Sequence, residues 1–277
     1  MQKKLSKFPV LWIFIVGLFV NVIVITLIKG YVDEENLIVI PNVIFAISSI
    51  LFVFKEKISL TAIFGNIPRF FKDFLYIFLY IFLLILMMLI LGAVFYVIFR
   101  FSPNSLYLLI DNASSKANLL QRSVFLDILF PCLFAPIIEE FFFRGLILQK
   151  FMLKMSVTRA IIFSSIIFAL VHFHAFIFIQ FFFAIFVSIV YIKTHSLFSA
   201  IIIHIINNNI TVFMFYNSES GEKMSASEIT DLANVMTAIG PWLLLCSILG
   251  LIGLLFFLKK IWPIKDSILP YQYNITQ

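Results

Sequence analysis

Pro136-Ile137-Ile138-Glu139-Glu140-Phe141-Phe142-Phe143-Arg144-Gly145 sets two adjacent carboxylates and a guanidinium inside an apolar run that extends over about 123–147. Apart from Asp127 near its outer end, that run carries no other charge. Its length is close to the ~20 residues that an α-helix needs to cross a bilayer. Charged groups at bilayer depth are costly, face the protein interior and mark functional sites. The rest of the chain has the composition this demands: 62% hydrophobic and 12% charged residues over 277 positions, with a mean hydropathy of +1.10. A soluble globular domain is far more polar. The fold expected is therefore all-α, a polytopic integral membrane helical bundle. The 36 Phe, with Ile and Leu, serve as lipid-facing and inter-helix packing material.

The apolar runs divide into about eight transmembrane helices. They cover roughly 8–28, 37–54, 74–99, 123–147, two spans within 160–192, 197–216 and 238–258. The run 160–192 is too long for one span at ~1.5 Å per residue, and it breaks at Val171-His172-Phe173-His174-Ala175-Phe176. Residues 55–73 mix Lys55, Lys57, Arg69 and Lys72 with apolar side chains, as suits a segment at the membrane interface. Three regions follow: 1–122 with helices 1–3 and the interfacial segment, 123–216 as a core of helices 4–7, and 217–277 with an outer polar loop (217–234), the last helix and a basic tail.

Charge orients the bundle. Fourteen Lys and Arg lie in the loops on the side of the termini and five on the other, which places both termini in the cytoplasm. The formal charge of +6 is accounted for by these loops, and no basic patch for nucleic acid is present. Cys132 and Cys246 both fall in apolar runs and read as packed side chains, not as a disulfide or a catalytic thiol.

Counting along the helices from the cytoplasmic loops puts Glu139, His172 and His204 roughly 12 to 20 Å from the cytoplasmic boundary. Three ionisable side chains on three helices thus share one level. Glu140 and Arg144 are i and i+4 and can pair. Glu139 points about 100° away from Glu140, so it is not consumed by that pair. Phe168 with His172, and His204 with Asn208, repeat the i, i+4 spacing. His174 faces away from His172, His195 reads as a solvated loop residue, and Asp127 reads as interfacial.

Glu139-Glu140-x-x-x-Arg144, Phe168-x-x-x-His172 and His204-x-x-x-Asn208, in this order on three spans, resemble the three motifs of the CPBP family of intramembrane endopeptidases. That family includes the type II CAAX prenyl proteases and the Abi-type bacteriocin-processing and immunity proteins. The resemblance covers about 126–212. It implies hydrolysis of a peptide bond in a membrane-associated peptide or protein, with Glu139, His172, His204 and Asn208 catalytic and Glu140, Arg144 and Phe168 supporting them. Glu139 is suited to be the general base for water, His172 to hold that water, and His204 with Asn208 to stabilise the oxyanion.

Two arrangements stay open: a metal-free water activated by Glu139, or a zinc site made by Glu139, His172 and His204. No cofactor beyond zinc suggests itself. Richness in Ile, Phe, Asn and Lys suits an AT-rich bacterial genome and a plasma-membrane location. Two other readings are a catalytically silent scaffold or immunity protein and an ion-coupled transporter. The sequence has no inverted repeat of the kind many transporters show.

Overall fold

The computed structural model describes residues 2–10, 12–13, 15–17, 19–20, 23, 39–67, 70–101, 125–172, 177–216, 226–263 and 267–277. All regular structure among the described residues is helical. In chain order the elements are α1 (Gln2–Leu5), α2 (Val39–Glu56), α3 (Leu60–Phe64) and α4 (Phe70–Phe101). Next comes α5, a continuous helical run over 125–152. Its segments Phe125–Phe134 and Phe141–Leu148 are π-helical, and Ala135–Glu140 and Gln149–Met152 are α-helical. Then follow α6 (Val157–Val171), α7 (Ile177–Thr194), α8 (Leu197–Tyr216), α9 (Ala226–Ile261) and α10 (Pro270–Ile275). Phe78–Ile98, Ile177–Thr194 and Asn234–Ile261 are each long and apolar enough to cross a membrane; Val157–Val171 and Leu197–Val212 are shorter apolar helices.

The expected break after Val171 coincides with the end of α6, and α7 starts at Ile177. His174 lies outside the described residues, as does the connection 102–124. One boundary needs correction. The polar stretch read as a loop to Asn234 is helical from Ala226, in keeping with the helical spacing of Ile229, Leu232 and Met236 in the sequence.

The chain forms two compact units. One comprises Met1–Asp73, Ile128–Asn208 and Pro263–Gln277, and the other Phe74–Asp127 and Asn209–Trp262.

In the first unit the Phe141-Phe142-Phe143 run of α5 is core, not lipid-facing surface: Phe142 and Phe143 are fully buried. Phe142 stacks on Phe45 of α2 with centroids 4.2 Å apart, and Phe8 meets both Phe142 and Phe52 edge-on at 5.7 and 4.8 Å. Aromatic pairs of this geometry contribute about 0.5–1.5 kcal/mol each beyond their area. Lys150 at the end of α5 donates to the Phe8 carbonyl. These contacts fix α5, the helix carrying both carboxylates, against α2 and the N-terminal segment.

At one end of the same unit, Ser59 caps α3, its Oγ accepting from Ala62 N at 3.2 Å. Gly65 ends α3 with φ 69, a left-handed conformation, and the His195 carbonyl stands 2.1 Å from where its Cβ would be. Only glycine fits there. His195 is correspondingly not a solvated loop residue. Its ring stacks on Tyr273 with centroids 3.9 Å apart, and partial burial pulls its imidazole below the ordinary range.

In the second unit α4 and α9 interlock through glycine notches. A Cβ on Gly240 would meet the Tyr96 ring at 2.0 Å, one on Gly250 the Leu86 side chain at 2.1 Å, and one on Gly92 the Leu243 side chain at 3.4 Å. As the partner number rises from 86 to 96 the glycine-side number falls from 250 to 240, so the two helices run antiparallel. Small residues at such crossings let apolar helices approach closely.

Candidate functional site

The site is built on α5, α6 and α8. Glu139 and Glu140 occupy the last turn of the short α-helical segment of α5, between its two π-helical stretches. π-helical turns are rare and collect at functional sites. His172 sits just past the end of α6, with φ −90 and ψ 48. His204 is the eighth residue of α8.

Glu140, Arg144 and His204 form one buried group. Arg144 Nη1 donates to Glu140 Oε1 at 2.8 Å, and His204 Nδ1 lies 2.7 Å from the same oxygen. Arg144 Nη2 donates to the Ala184 carbonyl at 3.3 Å, and the guanidinium carbon stands 4.5 Å over the Phe168 ring. Glu140 is 0% and Arg144 1% exposed, so the charges are desolvated together and each depends on the other. Phe168 stacks on His172 at 4.2 Å and meets His204 edge-on at 6.0 Å, while Phe183 meets His204 edge-on at 4.8 Å. These rings wall the polar group on the side of α6 and α7.

Glu139 faces the two histidines. Its Oε2 lies 3.3 Å from His172 Nε2 and 3.8 Å from His204 Nε2. Hydrogen-bond chemistry fixes the tautomers. His172 Nδ1 is 2.8 Å from the Phe168 carbonyl, which can only accept, so Nδ1 carries the proton. His204 Nδ1 faces the Glu140 carboxylate and by the same reasoning is the donor. In the neutral rings both Nε2 atoms then present lone pairs towards the buried Glu139 Oε2, and a proton on His172 Nε2 turns its 3.3 Å approach into an ion pair. Converging lone pairs require something positive between them: a proton, the hydrogens of a water molecule, or a cation.

Two imidazoles and a carboxylate are donors of the kind that bind zinc, and a carbonyl or carboxylate behind each ring is usual for such ligands. As placed, no three His, Cys, Asp or Glu side chains among the described residues are arranged to hold a metal ion.

Asn208 is turned towards α5. Its Nδ2 donates to the Pro131 carbonyl at 2.8 Å, and Asn207 Nδ2 donates to its Oδ1 at 2.9 Å, which leaves the second N–H of the Asn208 amide. Sequence reasoning brought Glu139, Glu140, Arg144, Phe168, His172 and His204 forward, and the structure gathers these six side chains into one cluster. It passed over Gln149, a fully buried amide in α5, and Tyr191, a fully buried phenol in α7. A glutamine in an otherwise apolar helix was the available signal, because a buried amide must find partners.

The fold and site thus define an all-helical protein with apolar, membrane-length helices and a buried carboxylate–imidazole cluster on three of them. Residues 121–210 match the family model described as "Type II CAAX prenyl endopeptidase Rce1-like", a family of membrane-embedded proteases, and the match bears out the resemblance carried by the three motifs. That stretch contains every residue of the cluster. No curated protein and no solved structure matches the chain.

Proposed function

We propose that the protein is an intramembrane endopeptidase that hydrolyses a peptide bond of a membrane-associated peptide or protein with a water activated by Glu139. The observation that carries this reading is the buried Glu139 Oε2 set 3.3 and 3.8 Å from the Nε2 atoms of two imidazoles whose Nδ1 atoms are already engaged. A water donating to Glu139 Oε2 and His172 Nε2 satisfies both acceptors and leaves its oxygen lone pairs for attack. Glu139 takes one proton from the water as the O–C bond forms, and the carbonyl oxygen becomes an oxyanion. Asn208 offers it the remaining amide N–H; His204 Nε2, unprotonated in the assigned tautomer, can only accept. Glu139 then passes its proton to the amide nitrogen as the C–N bond breaks. One water is consumed, and one carboxylic acid and one amine are released.

Glu140 and Arg144 hold His204, and Phe168 orients His172. Zinc held by Glu139, His172 and His204 would polarise the carbonyl and the water; the step is written here with water alone. The remainder of the reading is eight spans with both termini in the cytoplasm of a bacterial plasma membrane, and a leader, signalling or bacteriocin-related peptide as substrate.

The test compares cells lacking the protein and complemented with either the wild type or Glu139→Gln at equal membrane abundance, with membrane and secreted peptides identified by mass spectrometry. A precursor should accumulate only with the variant, since loss of a general base costs about 10²- to 10⁴-fold in rate. Coincident profiles from the two strains would overturn the assignment.

A further inference from the structure

The C-terminal helix α10 makes an unusual number of specific polar contacts for six residues at the end of a tail. Tyr271 N donates to Gln149 Oε1 at 2.8 Å, and Tyr271 Oη accepts from Ser59 N at 3.2 Å. Asn274 Nδ2 donates to the Ala62 carbonyl at 3.0 Å and to the His195 carbonyl at 2.8 Å. Tyr273 stacks on the His195 ring, and Gly65, lacking a Cβ, lets the His195 carbonyl and Asn274 approach. The helix therefore grips both ends of α3, the turn leading into α8, and α5.

Gln149 is where this grip reaches the site. It is 0% exposed, and its amide is committed on both atoms. Besides accepting from Tyr271 N, its Nε2 donates to the Gly145 carbonyl at 2.9 Å and to Tyr191 Oη at 3.0 Å. Tyr191 Oη in turn donates to the Ile63 carbonyl at 2.8 Å, closing the circuit back to α3. Gly145 is the residue after Arg144, whose guanidinium anchors Glu140. At the other contact, His195 lies nine residues before His204 and two before the start of α8. One short helix thus links the two elements whose side chains, Glu140 and His204, meet at 2.7 Å.

We propose that α10 is a positioning clasp for the site, acting through Gln149 on α5 and through the His195 carbonyl on α8, with Gln149, Tyr271 and Asn274 as positioning residues. The consequence is structural first: with the clasp opened, the 141–152 part of α5 loses the lock on its register relative to α8. The effect on catalysis rests on the reading of Glu139 given above; the effect on α5 does not.

The experiment uses the full-length protein in lipid nanodiscs and two substitutions from opposite sides of the clasp. Gln149→Met removes all three amide contacts at similar volume, and Asn274→Ala leaves α5 untouched and cuts the tail from Ala62 and His195. Hydrogen–deuterium exchange followed by mass spectrometry is read over 141–152, with 234–261 as the reference.

For both variants we expect exchange over 141–152 to accelerate by about tenfold or more, as losing a buried partner does, with 234–261 unchanged. On the peptide identified by the Glu139→Gln comparison, kcat should fall with KM retained. Faster exchange confined to 267–277 would overturn the proposal, as would a rise in KM alone. If exchange over 141–152 accelerates while Glu139→Gln accumulates no precursor, the clasp stands and the protease reading falls.

Discussion

Arg144→Met isolates the part of the site that the structure makes most costly to break. Removing the guanidinium strips Glu140 Oε1 of a donor at 2.8 Å, strips the Ala184 carbonyl of one at 3.3 Å, and takes a cation from 4.5 Å above Phe168. Glu140 keeps only His204 Nδ1 on that oxygen, and its other oxygen is buried and unpartnered already. A charge left alone at 0% exposure cannot be rescued by water. Breaking a buried pair from one side costs about 3–5 kcal/mol, or roughly two to four decades in the folding equilibrium. Replacing both members is far cheaper, so Glu140→Gln with Arg144→Met should destabilise less than Arg144→Met alone. The assay is reversible unfolding in mixed detergent micelles followed by helical circular dichroism, on the wild type, both single variants and the double. An Arg144→Met cost below about 1 kcal/mol, the range of an exposed pair, or strictly additive costs across the cycle, would refute the reasoning.

Three further outcomes follow from other parts of the molecule. Gly65→Ala should destabilise by more than about 1 kcal/mol, because φ is 69 and the new Cβ meets the His195 carbonyl at 2.1 Å; thermal unfolding of the purified variant checks this. Gly240→Ala should destabilise by about 1–3 kcal/mol, since its Cβ falls 2.0 Å from the Tyr96 ring, and Tyr96→Leu in the same chain should recover part of the loss. With cleavage written through water alone, exhaustive chelation of the purified protein should leave its rate unchanged; abolition by a chelator and recovery with zinc would replace the water-only step by a metal-assisted one.

The meeting of three motifs was legible because spacing and depth are properties of a helix. Counting residues from the cytoplasmic loops set Glu139, His172 and His204 at one level, and the i, i+4 rule set Arg144 on Glu140. The pairing of Glu140 with Arg144, with Glu139 pointing elsewhere, was also legible; that His204 joins Glu140 was not. The tautomers were not, because they depend on which backbone carbonyl lies behind each ring, and Phe168 O is placed by the ending of α6 at Val171.

The π-helical stretches of α5 escaped notice for a similar reason: their residues are good apolar helix formers, and nothing in their order separates i→i+4 from i→i+5 bonding. The role of α10 was hidden by composition. Pro270-Tyr271-Gln272-Tyr273-Asn274 reads as a polar tail, and its partners, Gln149, Ser59, Ala62 and His195, are from 79 to 212 residues away in sequence. Ala226–Asn234 misled in the opposite way, since polarity suggested a loop where apolar spacing specified the first turns of α9.

The most direct test of the central claim is cleavage of the identified peptide by the reconstituted protein in ¹⁸O-enriched water, comparing the wild type with Glu139→Gln. If Glu139 activates water, the wild type releases a fragment with one ¹⁸O in its new carboxyl group and the variant releases almost none. Labelled product formed by Glu139→Gln at the wild-type rate would contradict the account.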